Sequence, residues 1–271
     1  MNHSYVHGYD FREGIRLQDQ ASTLDELLHS DTAFPAGSRV LEAGCGVGAQ
    51  TIILARNSPG AIIKSIDISE SSLAAAKQKV TAEGLENVHF QQADIFNLKF
   101  ELESFDHVFV CFVLEHLSQP RKALEALKKV LKPGGTIVSI EGDHGSTFFY
   151  PESEAAQAAI RCQVELQKRA GGNALIGRQL YPLLRAAGFQ EVTVSPRMVY
   201  VDSSRPQLVD GFTRRTFTAM IEGVRDSAIT AGIIDPQLFD TGIKDLCRTA
   251  ESDGVFCYTF FKARGVKSTH E

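Results

Sequence analysis

The chain has 271 residues, 43% apolar and 23% charged, which is globular chemistry and excludes a disordered, collagenous or low-complexity chain. Its formal charge of −5, from 28 basic and 33 acidic residues, is a poor balance for gripping nucleic acid. No apolar run approaches the roughly 20 residues that span a bilayer, and Met1-Asn2-His3-Ser4-Tyr5 lacks a basic-then-apolar leader pattern. A cytoplasmic setting is expected. The five cysteines (Cys45, Cys111, Cys162, Cys247, Cys257) are odd in number, widely spaced and without a C-x-x-C. They imply neither a disulfide framework nor a zinc site.

Residues 1–37 are polar, with a helical pattern over 17–28. Strand-like and helix-like runs then alternate. A short apolar run at 39–41 enters a glycine cluster, and 50–56 reads as helix. Residues 61–66 are rich in β-branched side chains and read as strand. A helix over 71–83 follows, with Ser69 as its N-cap. Strands at 88–92 and 105–114 precede an amphipathic helix over 121–131, stopped by Pro133-Gly134-Gly135. A fifth strand covers 136–140. This alternation implies βαβ units and a largely parallel sheet with helices on both faces.

The rhythm breaks after Ile140. Helices are expected over 152–170 and 181–187. A strand at 191–201 is interrupted by Pro196, a second helical insertion runs over 206–251, and a last strand covers 255–263. Helical lids are therefore expected at about 144–188 and 205–252, with a polar, frayed tail from Gly265 to the end. Phe148-Phe149-Tyr150 are candidates to wall an acceptor site or to pack beneath a helix. Phe212 and Phe217 flank Arg214-Arg215. Five residues apart on an α-helix they share a face poorly, so a solvated basic turn is expected there.

The central signal is Glu42-x-Gly44-x-Gly46-x-Gly48, where a strand passes through a glycine loop into a helix. Glycine permits the tight turn and lets a ligand approach the main chain. The loop alone also satisfies the loose dinucleotide fingerprint, and Asp67 at the next strand end suits two ribose hydroxyls in either case. Other carboxylates decide between ligands. Glu42 opposes a pyrophosphate. Asp94 ends a third strand, where it can accept from an exocyclic adenine amine, and Glu115 closes a fourth. Three acids at strand ends suit a ligand carrying a sulfonium and a free amine better than a diphosphate.

Together with Leu114-Glu115-His116-Leu117 and Leu131-Lys132-Pro133-Gly134-Gly135, these motifs resemble class I S-adenosylmethionine-dependent methyltransferases. They are most similar to the ubiquinone and menaquinone C-methyltransferases and other small-molecule methylators. The resemblance covers about residues 38–141. It implies a Rossmann-like seven-stranded α/β sheet, mostly parallel, with an antiparallel last strand. It also implies S-adenosylmethionine as cofactor and S-adenosylhomocysteine as product. By position, Gly44, Gly46 and Gly48 would pass beneath the methionine portion and Glu42 would organise its amino end. Asp67 would take the ribose and Ile68 the adenine face. Asp94 and Ile95 would read the adenine edge, and Cys111 and Phe112 would flank the methionine portion. An N-terminal segment over 1–37 would close over the cofactor, making Tyr9 and Gln20 candidates.

An in-line sulfonium displacement needs a base only if the acceptor loses a proton. His116, just past the fourth strand, and His144, past the fifth, are the candidate catalytic residues. Glu115, Glu141 and Asp143 are further acids at the same edge. The paired acids of a magnesium-dependent catechol methylator are missing, so no metal is implied. The expected partner is a small acceptor, with the O, C or N atom open and nucleic acid or membrane not expected. The alternatives are an NAD(P)-dependent oxidoreductase and a non-catalytic cofactor-binding protein. The missing Tyr-x-x-x-Lys pair after the fifth strand argues against the first.

Overall fold

The structure is a computed structural model and describes residues 11–269, with side chains from Gln20 onward. The first half runs α1 (Phe11–His29), β1 (Arg39–Ala43), α2 (Ala49–Asn57), β2 (Ile62–Asp67), α3 (Glu70–Ala82), β3 (Val88–Gln92), β4 (Phe105–Cys111) and α4 (Pro120–Val130). The second half runs β5 (Leu131–Tyr150), α5 (Glu154–Arg169), α6 (Leu180–Ala186) and β6 (Gln190–Val201). Then α7 (Pro206–Leu208), a π-helical stretch (Val209–Thr218) and α8 (Ala219–Glu222) follow one another without a break. The chain continues through α9 (Arg225–Thr230) and α10 (Pro236–Arg248) into β7 (Val255–Val266).

Among the described residues, seven strands form one sheet in the order β3-β2-β1-β4-β5-β7-β6. Strands β1 to β5 pair in parallel, and β7 runs antiparallel between β5 and β6. Successive strand residues face opposite sides, and here each side is a core. Val40 and Phe109 pack in one cluster with Leu24 and Leu28 of α1 and Leu54 of α2. Leu41, Val108 and Val110 pack in the other with Leu124 and Leu127 of α4 and Leu180 and Leu184 of α6. Strands buried on both faces read as continuous apolar runs, which is why the sequence exposes them.

Helix starts follow their caps. The Ser69 side chain accepts from Ser72 N, as expected, and Ser153 and Asp235 cap α5 and α10 likewise. Pro196 does not interrupt β6. That strand lies at the sheet edge and runs unbroken across position 196, because an edge strand can spare one donor. Helix α1 is docked at its C-terminal end by the buried Lys262 of β7. Its ammonium donates to Leu28 O, Thr32 Oγ1 and the Asp31 carboxylate, a cation at the negative end of a helix.

Three expectations are corrected. First, β5 does not stop at Ile140 but continues to Tyr150, so residues 144–150 are strand and the helical insertion begins at Glu154. Second, the tail does not fray from Gly265. β7 reaches Val266, Lys267 N donates to Gly135 O, and the buried Lys267 ammonium donates to Leu131 O and Glu103. Third, the 212–217 segment is not a solvated turn. It is π-helical, and with about one more residue per turn than an α-helix it brings Phe212 and Phe217 together. Their rings lie 6.4 Å apart and both are buried. Arg214 and Arg215 point toward solvent, each pairing with a nearby acid.

Candidate active site at the carboxyl edge

The loop from β1 to α2 is held by the strand beside it. Gly44 N and Cys45 N both donate to Ile66 O, at 2.8 and 3.0 Å. Gly44, Gly46 and Gly48 all have positive φ, at 79°, 51° and 81°, but their surroundings differ. A Cβ on Gly44 would overlap the Val113 side chain, and one on Gly48 would lie 2.9 Å from Ala76 Cβ. A Cβ on Gly46 would meet nothing within 4 Å. Gly44 and Gly48 are required by packing, whereas Gly46 faces open space above the strand end.

Asp67, at the end of β2, ties this loop in place. One carboxylate oxygen accepts from Gly46 N at 2.8 Å and the other from Ser69 N at 2.9 Å. A carboxylate offers about four acceptor sites, so lone pairs remain for two hydroxyls. Ile68 follows, 54% exposed, presenting an apolar side chain. Asp94 lies in an exposed turn after β3, where it accepts from Phe96 N at 2.9 Å, and Ile95 beside it is half-buried.

Glu42 sits at the floor. It is buried, and one carboxylate oxygen accepts from both Thr51 Oγ1 at 2.8 Å and Ser65 Oγ at 2.6 Å. Burial raises its pKa to about 7; the two hydroxyls oppose that rise and the charge of Asp67 adds to it. At the end of β4, Cys111 is buried, and burial pushes its thiol well up. Phe112 adopts φ 57°, a conformation that disfavours bulky residues and recurs at functional sites. Its ring leans on Phe260 at 5.5 Å. Gln20 is buried on α1. Tyr9 lies outside the described residues.

On the other side of Phe112 the acids are sealed. Glu141 is wholly buried and accepts from the backbone of Val113, Leu114 and Glu115 at 3.1, 2.8 and 3.4 Å. Burial, together with the neighbouring Glu115, raises its pKa well above the carboxylate range. It therefore holds the 3-10 turn Leu114–His116 in place, a role the sequence left open. Asp143 is closed by a bidentate pair with Arg178, at 2.6 and 2.8 Å. Glu115 is also buried; its side chain and carbonyl accept from Gln167 of α5, at 3.2 and 3.0 Å.

The two candidate histidines differ. His116 Nε2 lies 3.6 Å from Glu115 Oε1, with its side chain 21% exposed. His144 is buried in a bulge, where residues 144–147 loop out opposite Tyr258. Its Nδ1 is 3.1 Å from the Tyr258 hydroxyl, and its ring stands edge-on to Tyr258 at 5.7 Å. Gly142 leaves the room that the Tyr258 hydroxyl occupies. Sequence reasoning missed Tyr258, which reads as one aromatic among several in β7.

Known proteins share this architecture. A family model described as a methyltransferase domain matches residues 35–188. A 37.1 kDa protein carried on a transposon of Streptomyces fradiae is 33% identical over 222 residues, covering 76% of this chain and 63% of that protein. Demethylmenaquinone methyltransferase of Bacillus cytotoxicus is 37% identical over 106 residues, 39% of this chain and 45% of that protein. This chain spans 44% to 63% of the length of the first curated relatives it matches. Among solved structures, phosphoethanolamine N-methyltransferase 2 of Haemonchus contortus was determined with phosphomonomethylethanolamine and S-adenosylhomocysteine. It superposes with a TM-score of 0.58 at 20% identity, over 92% of this chain and 52% of that one, a likeness of fold. The chain belongs to the methyltransferase-domain family and has the mixed seven-stranded, Rossmann-like sheet of S-adenosylmethionine-dependent methyltransferases.

Proposed function

We propose that this protein binds S-adenosylmethionine over the β1–α2 loop and transfers its methyl group to a small, partly apolar acceptor in the cytoplasm. The observation that carries the reading is the strand-end cradle. Gly46 faces open space, and Asp67 holds the loop while keeping lone pairs for ribose hydroxyls. Ile68, Asp94 and Ile95 suit an adenine, with an apolar face beside a carboxylate that can accept from its amine. Cys111 and Phe112 flank the methionine portion, and Glu42 supplies negative potential beneath its amino group. The same buried carboxylate opposes a dinucleotide diphosphate. Gln20 and Tyr9 belong to the segment that closes over the cofactor. Five free thiols suit a reducing compartment.

Bound S-adenosylmethionine supplies a sulfonium methyl that is already electrophilic. The chain's part is to align the acceptor, exclude water and, for a proton-losing acceptor, take the proton. We assign that last role to His116. The Glu115 carboxylate beside it stabilises an imidazolium, and Gln167 and the Glu141-bound turn fix Glu115. His144 with Tyr258 forms the second polar contact on the acceptor side. Phe212, Phe217, Tyr258 and Phe260 pack on one another as core behind His144 and hold that contact in place.

Incubation with methyl-labelled S-adenosylmethionine and a panel of phenols, quinols and amines tests the reading. Label in a methylated product supports it. Label recovered only in unreacted cofactor across the panel, with cofactor bound, refutes turnover and leaves a binding protein.

A further inference from the structure

Helix α5 changes character along its buried face. Ala156, Ala159, Ile160 and Cys162 are apolar, and the next two buried side chains are Gln163 and Gln167. Burying an amide is unfavourable unless it is hydrogen-bonded, and an apolar side chain would pack there without that demand. The two amides form a chain. Gln163 Nε2 donates to Gln167 Oε1 at 3.0 Å. Gln167 Nε2 donates to the Glu115 carbonyl at 3.0 Å and to Glu115 Oε2 at 3.2 Å. Both protons of the Gln167 amide are thereby used. Turned over, that amide would set its oxygen against two acceptors of Glu115 and its nitrogen against the Gln163 donor, so the chain fixes its orientation. The other Glu115 oxygen, Oε1, is the one 3.6 Å from His116 Nε2. The end of α5 is seated on the same residue. Asn173 N donates to the Glu115 carbonyl at 2.7 Å, and a Cβ on Gly172 would overlap that carbonyl oxygen.

We infer that the Gln163–Gln167 pair is a positioning device for His116, through which helix α5 sets which Glu115 oxygen faces the imidazole. The inference rests on the proton-taking role proposed for His116. Gln167 occupies Oε2 and favours the ionised carboxylate, which leaves Oε1 to hold an imidazolium. Both glutamines act through Glu115 and are positioning residues. Glu141, Cys111 and Tyr258 are the other ionisable groups within reach of the Glu115 charge. Burial raises the pKa of each, so each resists a second negative charge beside Glu115. Without the Gln167 amide, the buried Glu115 carboxylate loses a donor that favours its charge. It then either takes up a proton or turns away from the imidazole. Both outcomes remove the counter-charge, and His116 titrates at lower pH.

An NMR titration of the His116 imidazole in the full chain tests this, with the resonance assigned by its loss in His116→Asn. Gln167→Met keeps the side chain's length and removes both donors. It should lower the His116 midpoint by about one pH unit or more. Gln163→Met leaves Gln167 in place but frees its amide to turn, so it should give a smaller shift in the same direction. This second variant also decides the matter should Gln167→Met not fold. Ile160→Val, on the buried face of α5 about two turns before Gln167, is the control. It should lower the melting midpoint and leave the titration where it was. On a proton-losing acceptor, Gln167→Met should lower kcat by roughly 10- to 100-fold with cofactor affinity nearly unchanged. A His116 midpoint that stays put in both folded glutamine variants overturns the inference, as does an equal shift in Ile160→Val. The titration needs no acceptor, so it is separate from the test of transfer. A shifted midpoint in a chain that methylates nothing would refute the transfer and uphold the arrangement around His116.

Discussion

The two halves of the sheet hold their polar groups by opposite means. On the β3-β2-β1-β4 side the strands are short, and Asp67 and Asp94 at their ends stay open above the buried Glu42. Asp67 bonds two backbone amides and keeps lone pairs, and Asp94 is exposed. On the β5-β7-β6 side the strands are long and the acids are shut. Arg178 closes Asp143, three amides close Glu141, and aromatic rings pack around Tyr258. The first half offers hydrogen-bond acceptors to a polar ligand. The second packs its aromatic rings into the core, with His144 buried against Phe217 and Tyr258. The proposed cofactor, rich in donors, fits the first half.

The largest expected effect breaks the open half by sterics. Gly44→Ala places a Cβ into Val113 and forces alanine to a φ of 79°. Together these should cost about 3 kcal/mol or more of stability, read by denaturant unfolding. Gly46→Ala meets no neighbour, so its cost should be only the roughly 1 kcal/mol of backbone strain. Cofactor affinity should nonetheless fall. Equal destabilisation by the two would remove the distinction between a packing glycine and a ligand-facing one.

Next is a pH effect at the floor of the site. Burial raises the Glu42 pKa from 4.5 to about 7 in the folded state. A raised acid stabilises the fold below its unfolded pKa and loses that contribution as pH rises through its folded pKa. Glu42→Gln, which keeps an acceptor for Thr51 and Ser65, should therefore match wild type near pH 4.5. It should become more stable by up to about 3 kcal/mol above pH 7. Melting curves that stay parallel across this range would contradict the assignment.

Just past the end of β4, His116→Asn should lower kcat on a proton-losing acceptor by on the order of 10²-fold with cofactor affinity nearly unchanged. Full kcat in that variant would remove His116 from proton transfer.

The same contrast explains what the sequence discloses. Strands β1, β2 and β4 are short runs rich in apolar residues and bounded by glycine, serine and aspartate, so the fold is legible there, and the residues proposed to hold the cofactor lie at the ends of those runs. Beyond Ile140, polarity misleads. Glu141-Gly142-Asp143-His144 reads as a loop, yet Glu141 and Asp143 are buried within β5 because distant backbone amides and Arg178 satisfy them. Phe212 and Phe217 look out of phase because an α-helical period was assumed where the chain is π-helical. Pro196 reads as an interruption only until β6 is seen to be an edge strand. For Glu141, Asp143 and Pro196 the missing information is a partner remote in sequence; for Phe212 and Phe217 it is the local helix period.

The most direct test of the central claim is a calorimetric titration of S-adenosylmethionine into wild type and Asp67→Ala, with NADH as the competing ligand. The account predicts saturable binding of S-adenosylmethionine by wild type and no heat from NADH. Asp67→Ala should lose about 1.5–3 kcal/mol, a tenfold weakening or more. Binding of NADH, or an unchanged affinity for S-adenosylmethionine in Asp67→Ala, would contradict it.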